Sequence, residues 1–497
     1  MGTVINTILN SGMRGIPVRV ECQLTNGLPS FTIVGSASHT VTESKERVRN
    51  ALLSSQLQYP RQKITVNLAP ADIPKSGTSL DLPIAVSILQ ASGQLKVEEL
   101  DTYVFVGELS LNGDVQPVRG IIGILSTFSD RSRFTFVIPR ANIQQAQQMP
   151  GVKVIAISNV SQLADMSEMT TTVMDNTLIT ASNPVYHAHL EEIKGQAQAK
   201  RAITIAASGG HNILLHGVPG SGKTLLAKAL LGLLPAPSLG EQLEITQLHS
   251  LAENTYSSVH QERPLRSPHH SASHISIVGG GSNLKPGEIS LSHNGVLLLD
   301  ELPEFSRQTI ESLRQPLEEQ SVTISRNAGT IRLPADFILV GTANPCPCGY
   351  FGSGQPCSCP QYAIERYRRK LSGPILDRID LHVGMDSIDN DLLLKPSLHT
   401  EDTANLLGQV AKARDHQFRR NGSELLNSRI TDRRLLEVLD ITKSAKKLLS
   451  GAAATLKLSA RSYIRILRTS LTIADLDGST SVQDKHIAEA LQYRQRY

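Results

Sequence analysis

The segment HNILLHGVPGSGKTLLAKALL, residues 211–231, constrains the fold of this chain more than any other stretch. It contains the pattern G-x-x-x-x-G-K-T, preceded by an apolar run typical of a strand and followed by a run typical of a helix. In such a loop, backbone N–H groups wrap phosphates at the helix N-terminus, Lys223 neutralises β/γ oxygens and the Thr224 hydroxyl reaches Mg²⁺. A glycine loop arising by chance rarely has both flanks. The predicted nucleotide-binding residues are Gly217, Val218, Pro219, Gly220, Ser221, Gly222, Lys223, Thr224 and Leu225.

Two later segments each end an apolar run in polar side chains. GVLLLDELPEF ends in Asp300 and Glu301, and DFILVGTAN ends in Asn344. Buried parallel strands would bring these groups to the sheet edge that carries the glycine loop. Asp300 then suits the Mg²⁺ shell, Glu301 suits activation of the attacking water, and Asn344 could orient that water or sense the γ-phosphate. The alternative for Asp300 and Glu301 is an ordinary acidic turn after a strand.

The composition narrows the class of protein. A chain of 497 residues with 40% hydrophobic and 19% charged residues predicts two to four globular domains. The chain lacks an apolar run near the roughly 18 residues that span a bilayer, and its start lacks a secretory signal, so we expect a cytoplasmic protein with no membrane partner. A net charge of +4 is weak evidence for nucleic acid, because many enzymes that do not bind it share such a charge. With no Trp and 4% aromatics, any binding to nucleic acid should use the phosphates rather than base stacking.

The chain divides into four predicted parts. Residues 1–165 alternate strand-like stretches, such as 18–24 and 63–68, and carry a hairpin signal at Asn112-Gly113. Residues 166–188 are polar and Thr-rich and are interpreted as a linker. Residues 189–388 alternate strands with helices, and 389–497 turn helical. The predicted fold class is α/β with a helical C-terminal domain.

Four of the five cysteines form C-x-C-x₈-C-x-C at Cys346, Cys348, Cys357 and Cys359. In a chain without a disulfide framework, four such thiols favour a metal, and a closed four-thiolate set suits structural Zn²⁺. Free reduced thiols and an iron–sulfur cluster are the alternatives, because C-x-C is tighter than the usual C-x-x-C spacing. Cys22 alternates with apolar residues and is predicted to lie in the core.

The segment RPLRSPHHSASHISIVGGGSNLKPGEISLSHNGVLLLDELPEF, followed by GTANPCPCG, closely resembles the ComM/YifB family of magnesium-chelatase-like AAA+ proteins. The resemblance extends over essentially the whole chain. It implies a Lon-protease-like N-terminal domain of the ribosomal S5 domain 2 type, an AAA+ P-loop core and a helical C-terminal lid. It also implies a homo-oligomeric, hexameric ring that hydrolyses ATP and acts as a DNA helicase, promoting branch migration in homologous recombination during natural transformation.

The resemblance also assigns residues. Asn344 matches sensor 1, Arg378 in LSGPILDRIDLHV matches an arginine finger, and Arg461 in LSARSYIRIL matches sensor 2 of the lid. A finger supplied by a neighbouring subunit can speed phosphoryl transfer by roughly 10³–10⁵-fold. Without the resemblance, each arginine would be read as an ordinary surface charge.

Two stretches match elements that face the pore in ring translocases. Residues 265–290 match an insert in helix 2, and 322–332 match the pre-sensor-1 hairpin, where Arg326 and Asn327 lie near the turn. Arg326 could contact DNA phosphates, or it could be a solvated turn residue. Three histidines in the insert could be read as a metal cluster, but no carboxylate or cysteine accompanies them; they are His269, His270 and His274.

A Lon-type protease is a rival hypothesis. PKSGTSLDLPIA resembles the loop of the Lon nucleophile and puts Ser79 at or near its place, but the position of the lysine base holds Ile122. An isoleucine cannot accept a proton, and nothing in the sequence places Lys75 on Ser79. We therefore expect a catalytically inactive domain. The other alternative is a magnesium-chelatase motor subunit acting on a protein partner.

Overall fold

The computed structural model describes most of the chain. The described residues are 3–75, 77–95, 97, 99–128, 130, 133–174, 190, 193–252, 259–281, 284–326, 329–352, 354–386, 403–422 and 424–494. Within them, no helix is both long and apolar enough to cross a membrane.

The described strands are numbered in chain order. They are β1 Thr3–Ser11, β2 Arg14–Thr25, β3 Ser30–Val34, β4 Lys63–Ala69, β5 Tyr103–Phe105, β6 Glu108–Leu109, β7 Val115–Gln116, β8 Thr135–Pro139, β9 Lys153–Ile157, β10 Thr172–Val173, β11 Ile213–Gly217, β12 Leu265–Arg266, β13 Gly279–Gly280, β14 Lys285–Pro286, β15 Val296–Leu299, β16 Ser321–Arg326, β17 Gly329–Pro334, β18 Ile338–Ala343 and β19 Leu381–Met385.

The α-helices are named by their ranges. They are His39–Ser54, Asp81–Ala91, Ile121–Leu125, Ile143–Ala146, Ala197–Gly209, Lys223–Gly232, Leu239–Ala252, His274–Val278, Glu288–Leu291, Arg307–Ser312, Arg314–Glu319, Gln361–Arg368, Gly373–Leu376, Thr403–Asn421, Asp432–Val438, Lys443–Leu456, Ala460–Leu476 and Asp484–Gln492.

The N-terminal region is a mixed eight-stranded sheet in the order β10-β9-β8-β5-β1-β2-β4-β3. Alternate residues of β1 face two hydrophobic clusters: Ile5 joins the cluster that contains the helix Asp81–Ala91, and Ile8 joins the cluster that contains the helix Ile121–Leu125. The sheet is therefore covered on both faces. The predicted strands at 18–24 and 63–68 are confirmed within β2 and β4, and the hairpin signal is confirmed by the pairing of β6 with β7.

The predicted linker begins too early. A 3₁₀ helix covers Val160–Glu168, and β10 at Thr172–Val173 pairs with β9 through Val154 and Lys153. The start of the predicted linker therefore lies in a helix at 166–168 and in the N-terminal sheet at 172–173, while most of the remaining predicted linker lies outside the described residues.

The central region is a five-stranded parallel sheet in the order β12-β15-β18-β11-β19. Every residue of β15 and β18 is buried, as expected for parallel strands covered by helices on both faces. β15 and β11 both lie beside β18, so the ends of these three strands meet at the carboxyl edge of the sheet. This arrangement agrees with the expected α/β class and places the predicted site.

The C-terminal region consists of helices, as the sequence predicts. Thr442 and Ser459 cap two of them by accepting hydrogen bonds from backbone N–H groups of the first turn. The helix Ala460–Leu476 buries one face against the central sheet region, in the same hydrophobic cluster as the helix Ala197–Gly209.

The N-terminal sheet lies directly against the central region. The backbone N–H of Gly120 donates to Ser250 Oγ at 3.1 Å, and Gln247 Nε2 donates to the Gly12 carbonyl at 3.3 Å. Met13, in the β1–β2 turn, packs against the cluster that includes Leu333 of β17. The first domain therefore contacts both the helix Leu239–Ala252 and the base of the β16–β17 hairpin.

Candidate nucleotide-binding site and cysteine cluster

The glycine loop connects the end of β11 to the helix Lys223–Gly232. Gly220 and Gly222 have φ angles of +79° and +88°, a region that favours glycine, so the loop can turn its backbone N–H groups inward at the helix N-terminus. Added Cβ atoms at these two positions would meet nothing within 4 Å. The glycines are therefore required by the backbone angle rather than by close packing.

Lys223 is buried beneath this loop. Its Nζ donates to the carbonyls of Gly217 at 2.7 Å and Val218 at 2.9 Å and to Asn344 Oδ1 at 3.0 Å. Burial lowers the pKa of Lys223, while the carboxylates of Asp300 and Glu301 oppose that shift. The ammonium group thus lies between the glycine loop and the end of β18.

Asp300 is held by two hydroxyl groups. Thr224 Oγ1 donates to Asp300 Oδ2 at 3.1 Å, and Thr342 Oγ1 donates to Asp300 Oδ1 at 2.5 Å. Thr224 is a predicted residue of this site, whereas Thr342, which precedes Ala343 and Asn344 at the end of β18, is not among the predicted site residues. The one sequence feature that could have indicated Thr342 is its position near the end of β18, the strand that lies between β15 and β11. A carboxylate and a hydroxyl at this distance could hold a hard cation such as Mg²⁺.

Glu301 and Asn344 meet at the same edge. Asn344 Nδ2 donates to Glu301 Oε1 at 3.5 Å, and the Glu301 backbone N–H donates to Thr342 Oγ1 at 2.8 Å. Glu301 has a φ angle of +53°, which is strained for a residue with a side chain and turns its exposed carboxylate out of the strand direction. The structure therefore brings together Lys223, Thr224, Asp300, Glu301 and Asn344, an arrangement able to position a phosphate chain and a water molecule.

Arg378 lies at the opposite edge of the sheet. Its carbonyl accepts a hydrogen bond from Asn212 Nδ2 at 3.1 Å, and Asn212 directly precedes β11. The glycine loop follows the other end of β11, which is five residues long, or roughly 15 Å. Arg378 therefore does not join the nucleotide-binding residues of its own chain.

Arg461 lies beside Arg378 rather than beside the glycine loop. One helical turn after Arg461, the Nη1 atom of Arg465 donates to the carbonyls of Leu376 at 3.1 Å and Ile379 at 2.7 Å, which flank Arg378. Arg461 Nη2 and Arg378 Nη2 both donate to the carboxylate of Glu318. The sequence placed both arginines at one γ-phosphate but did not show that they share a carboxylate.

The four clustered cysteines come together immediately after β18. Their sulfur atoms all lie within 4.8 Å of one another, with 3.3 Å between Cys346 and Cys348 and 3.5 Å between Cys348 and Cys357. A tetrahedral ion with bonds of about 2.3 Å needs sulfur atoms roughly 3.8 Å apart, so the four thiols could hold a metal ion. A hydrogen bond from the Tyr350 backbone to Cys348, together with one from the Cys346 side chain, lowers the pKa of Cys348 to about 6.

The cysteine cluster also touches the glycine loop. At Gly349, whose φ angle is +89°, an added Cβ would lie 2.5 Å from Pro219 Cγ. The chain directly after Cys348 therefore packs so closely against the glycine loop that a side chain at position 349 would not fit without a shift. Among the described residues, these four cysteines are the one set of three or more histidine, cysteine or acidic side chains close enough together to hold a metal ion.

The predicted DNA elements lie side by side. β16 and β17 form the predicted hairpin, in which Arg326 pairs with Gly329; Asn327 and the side chain of Arg326 lie outside the described residues. Within the range predicted as an insert, Leu265 and Arg266 form the edge strand β12 of the central sheet, and the later residues form the β13–β14 hairpin and short helices beside it. An added Cβ at Gly279 of β13 would lie 2.7 Å from Ile324 of β16.

The histidines of the insert make local contacts. The rings of His269 and His270 lie 4.1 Å apart, and His269 Nδ1 is 2.7 Å from Ser271 Oγ. His270 also meets the Phe305 ring edge-on. The structure does not bring these histidines together with His274 as a metal site within the described residues.

The position at which a Lon-type protease would carry its lysine base is occupied by Ile122, a core residue. Ile122 is 3% exposed and lies in the hydrophobic cluster around Ile8. Ser79 precedes the helix Asp81–Ala91, which belongs to the cluster on the other face of the sheet. The buried Lys75 ammonium donates to the Pro70 carbonyl, and burial lowers the pKa of Lys75.

Three family profiles match the chain. "Magnesium chelatase, subunit ChlI" matches residues 189–393, "Subunit ChlI of Mg-chelatase" matches 20–142, and "Magnesium chelatase, subunit ChlI C-terminal" matches 400–494. The chain is also 28% identical over 160 residues to the magnesium-chelatase 67 kDa subunit of Chlorobaculum parvum, an alignment that covers 31% of this chain and 23% of that protein.

Two relatives align over nearly their full length. The chain is 40% identical over 498 residues to competence protein ComM of Haemophilus influenzae, and 38% identical over 495 residues to YifB of Escherichia coli K12. Each alignment covers 99% of this chain and 97% of the relative. Together with the parallel sheet, the glycine loop and the C-terminal helices, these matches show that the chain belongs to the ComM/YifB family of magnesium-chelatase-like proteins.

Proposed function

We propose that this protein is an ATP-driven, ring-forming DNA helicase that promotes branch migration in homologous recombination during natural transformation. The observation that carries the proposal is the division of the phosphate-reading groups between two edges of one sheet. Lys223 and Glu301 lie at the carboxyl edge, whereas Arg378 and Arg461 lie at the amino edge. A site complete in both sets requires two copies of the chain, which a closed ring supplies.

The nucleotide-binding residues would divide the work of phosphoryl transfer. The glycine loop and Lys223 hold the β and γ phosphates, and Thr224 and Asp300 would hold Mg²⁺, which neutralises charge on the phosphate oxygens. Glu301 accepts a hydrogen bond from the attacking water and directs it at the γ-phosphate, while Asn344 orients that water. Arg378 and Arg461 of the neighbouring subunit stabilise the charge that develops during transfer.

The DNA-binding part of the proposal rests on family membership and on two hairpins. The name of the Haemophilus relative, competence protein ComM, supports a role in competence. The β16–β17 and β13–β14 hairpins lie together and would line the pore, with Arg326 and Asn327 contacting phosphates. Six subunits and a cytoplasmic location are part of this proposal.

Two further assignments belong to the proposal. The four cysteines hold structural Zn²⁺, because four thiolates complete a tetrahedral shell and leave no open position for catalysis. The N-terminal region is a catalytically inactive Lon-like domain, because Ile122 at the lysine position is a core residue.

The test is steady-state ATP hydrolysis without DNA and with single strands, duplex or a four-way junction. We expect DNA to stimulate hydrolysis, and Arg378→Ala to lower the rate by roughly 10³-fold or more. Glu301→Gln should lower it by roughly 10²-fold or more while ATP binding is retained. Arg433→Ala, at a highly exposed arginine of the C-terminal region, is the matched control and should leave the rate unchanged.

Hydrolysis that is indifferent to every DNA would contradict the helicase proposal. It would favour the alternative of a chelatase-type motor that acts on a protein partner. The partial alignment with the magnesium-chelatase subunit, against nearly complete alignment with ComM, supports the DNA motor.

A further inference from the structure

One carboxylate is shared by the two arginines that we assign to the neighbouring nucleotide. Glu318 Oε1 accepts a hydrogen bond from Arg461 Nη2 at 3.3 Å and forms an ion pair with Arg378 Nη2. The Arg378 side chain is only 12% exposed, while those of Glu318 and Arg461 are 47% and 63% exposed. We call these three residues the Glu318 cluster.

The Glu318 cluster is incomplete as an ion network. Two guanidinium groups face one carboxylate, so the cluster keeps a net charge of about +1. Arg378 Nη1 donates to the Pro374 carbonyl, but its Nε is buried and has no hydrogen-bond acceptor among the described residues. A buried N–H without an acceptor is costly, so the contact with Glu318 leaves Arg378 incompletely satisfied.

A phosphate group suits two guanidinium groups better than the single carboxylate of Glu318 does. Phosphate offers more acceptor oxygens and more negative charge, and arginine binds both anions through the same planar set of N–H donors. The carboxylate of Glu318 and a phosphate would therefore compete for Arg378 and Arg461.

We propose that Glu318 is a positioning residue that restrains Arg378 and Arg461 in the resting ring and releases them to the γ-phosphate bound by the neighbouring subunit. This inference rests on the proposed function, since it assumes that these arginines act across the subunit interface. The restraint keeps the two side chains together and away from nucleotide, so hydrolysis is slow until the ion pairs with Glu318 break.

The position of Glu318 in the chain connects this restraint to the β16–β17 hairpin. The helix Arg314–Glu319 ends one residue after Glu318, and β16 begins at Ser321. Gln320, between them, accepts a hydrogen bond from the Ala335 N–H at 2.8 Å, at the other end of the hairpin. A hairpin displaced by DNA would therefore move Glu318 and weaken its hold on the arginines.

The experiment uses mixed rings in which only composite sites can work. One full-length subunit carries Lys223→Ala, which disables its own nucleotide site but leaves its arginines. The other carries Arg378→Ala, which keeps its glycine loop. Hydrolysis in the mixture reports arginines of the first subunit acting on nucleotide of the second. Glu318→Gln is then added to the Lys223→Ala subunit, with Glu319→Gln as the matched control.

We expect the mixture to recover hydrolysis that neither variant shows alone. Glu318→Gln should raise the recovered rate without DNA by roughly threefold to tenfold, because a neutral amide holds arginine less tightly than a carboxylate does. The stimulation by a four-way junction should fall by a similar factor. Glu319→Gln should change neither quantity, and a gain in rate cannot arise from simple loss of structure.

The possible failures are distinguishable. If the mixture recovers activity that Glu318→Gln leaves unchanged or lowers, the restraint is wrong while the composite site stands. If the mixture recovers nothing with Glu318 intact, the composite site is wrong, and the role of Glu318 falls with it. Unfolding midpoints of the Glu318→Gln and Glu319→Gln variants within a degree or two of the parent would exclude a folding defect as the cause.

Discussion

Single polar side chains join distant parts of this chain at both edges of the central sheet. At the amino edge, Asn212 donates to the Arg378 carbonyl at 3.1 Å and accepts from the Leu339 N–H at 2.9 Å. At the carboxyl edge, Thr342 bonds both Asp300 and the Glu301 backbone. Each of these residues fixes the spacing of neighbouring strands and, through it, the geometry of groups that we assign to catalysis.

The sequence reveals such residues only where the pattern is local. The spacing of Gly217, Lys223 and Thr224 predicts a phosphate-binding loop because those residues lie close together in the sequence. Glu318 carries no such signal, since its partners lie 60 and 143 positions later in the chain. Pairings of this kind depend on the packing of the tertiary structure, which a single sequence does not display.

His382 provides a prediction at this scale. Burial, helped by the charge of Arg465, lowers the pKa of His382 from 6.5 to about 4. Between these two pH values the unfolded chain binds a proton at His382 and the folded chain does not. The contribution of neutral His382 to the free energy of unfolding is therefore complete above pH 6.5 and is lost as the pH falls toward 4. The loss should reach at most about 3 kcal/mol.

Denaturant unfolding between pH 7 and pH 4 would measure this effect. His382→Gln, whose side chain stays neutral, should reduce the slope of stability against pH in that window. Other groups contribute to the slope, including His486, whose pKa burial also lowers. An unchanged slope in the variant would show that His382 is not the group responsible.

Elements of the central region follow from local sequence. The run VLLL of β15 is apolar at every position because both faces of a parallel strand are buried, and it is confirmed as such. β10 is different. Its two residues, Thr172 and Val173, are exposed and hydrogen-bond to β9, so neither alternation nor hydrophobicity marks them as a strand. For that reason the sequence predicts an end to the first domain at residue 165, before β10.

The cysteine cluster provides a prediction for a whole element. We expect purified protein to contain about one zinc per chain, bound by all four thiolates. Cys348→Ser and Cys357→Ser should each abolish most of this content, whereas Cys22→Ser, at a buried core cysteine, should retain it. Elemental analysis of protein purified without added metal gives the measurement.

Loss of the metal should also lower the affinity for ATP. Gly349 lies against Pro219 of the glycine loop, so a loosened cluster should weaken ATP binding several-fold in Cys348→Ser. Equal zinc content in all variants would exclude these cysteines as ligands, and unchanged ATP affinity after zinc loss would exclude the connection to the loop.

At the scale of the whole molecule, the N-terminal region contacts the central region through hydrogen bonds that involve backbone atoms of Gly120 and Gly12. The Gly120 N–H donates to Ser250, and the φ angle of Gly120 is +65°. An added Cβ there would lie 2.0 Å from Asn10 Nδ2 and 3.0 Å from Leu251. The larger conflict would lie within the first domain, at Asn10 of β1, and the smaller one across the interface, at Leu251.

Gly120→Ala tests this contact against a matched control. Gly151→Ala places alanine at a similar φ angle of +74° but in open space, and should cost only the backbone strain of about 1 kcal/mol. Gly120→Ala should cost about 2–4 kcal/mol, because it adds a steric conflict with Asn10 inside the first domain and a smaller one with Leu251 across the interface.

Thermal unfolding and limited proteolysis between the two domains would measure the difference. The Gly120→Ala protein should unfold at a lower temperature than the Gly151→Ala protein and be cut faster between the domains. Equal behaviour of the two variants would show that the contact at Gly120 does not hold the domains together.

The placement of Arg378 at the sheet edge opposite Lys223 has a consequence for inheritance. If each chain completes the site of its neighbour, one chain without Arg378 disables a site that belongs to a normal chain. A cell carrying both a normal copy and an Arg378→Ala copy would then assemble mostly poisoned rings, and the mutant allele would behave as dominant. An allele whose protein cannot fold would contribute no subunit to a ring and would be recessive.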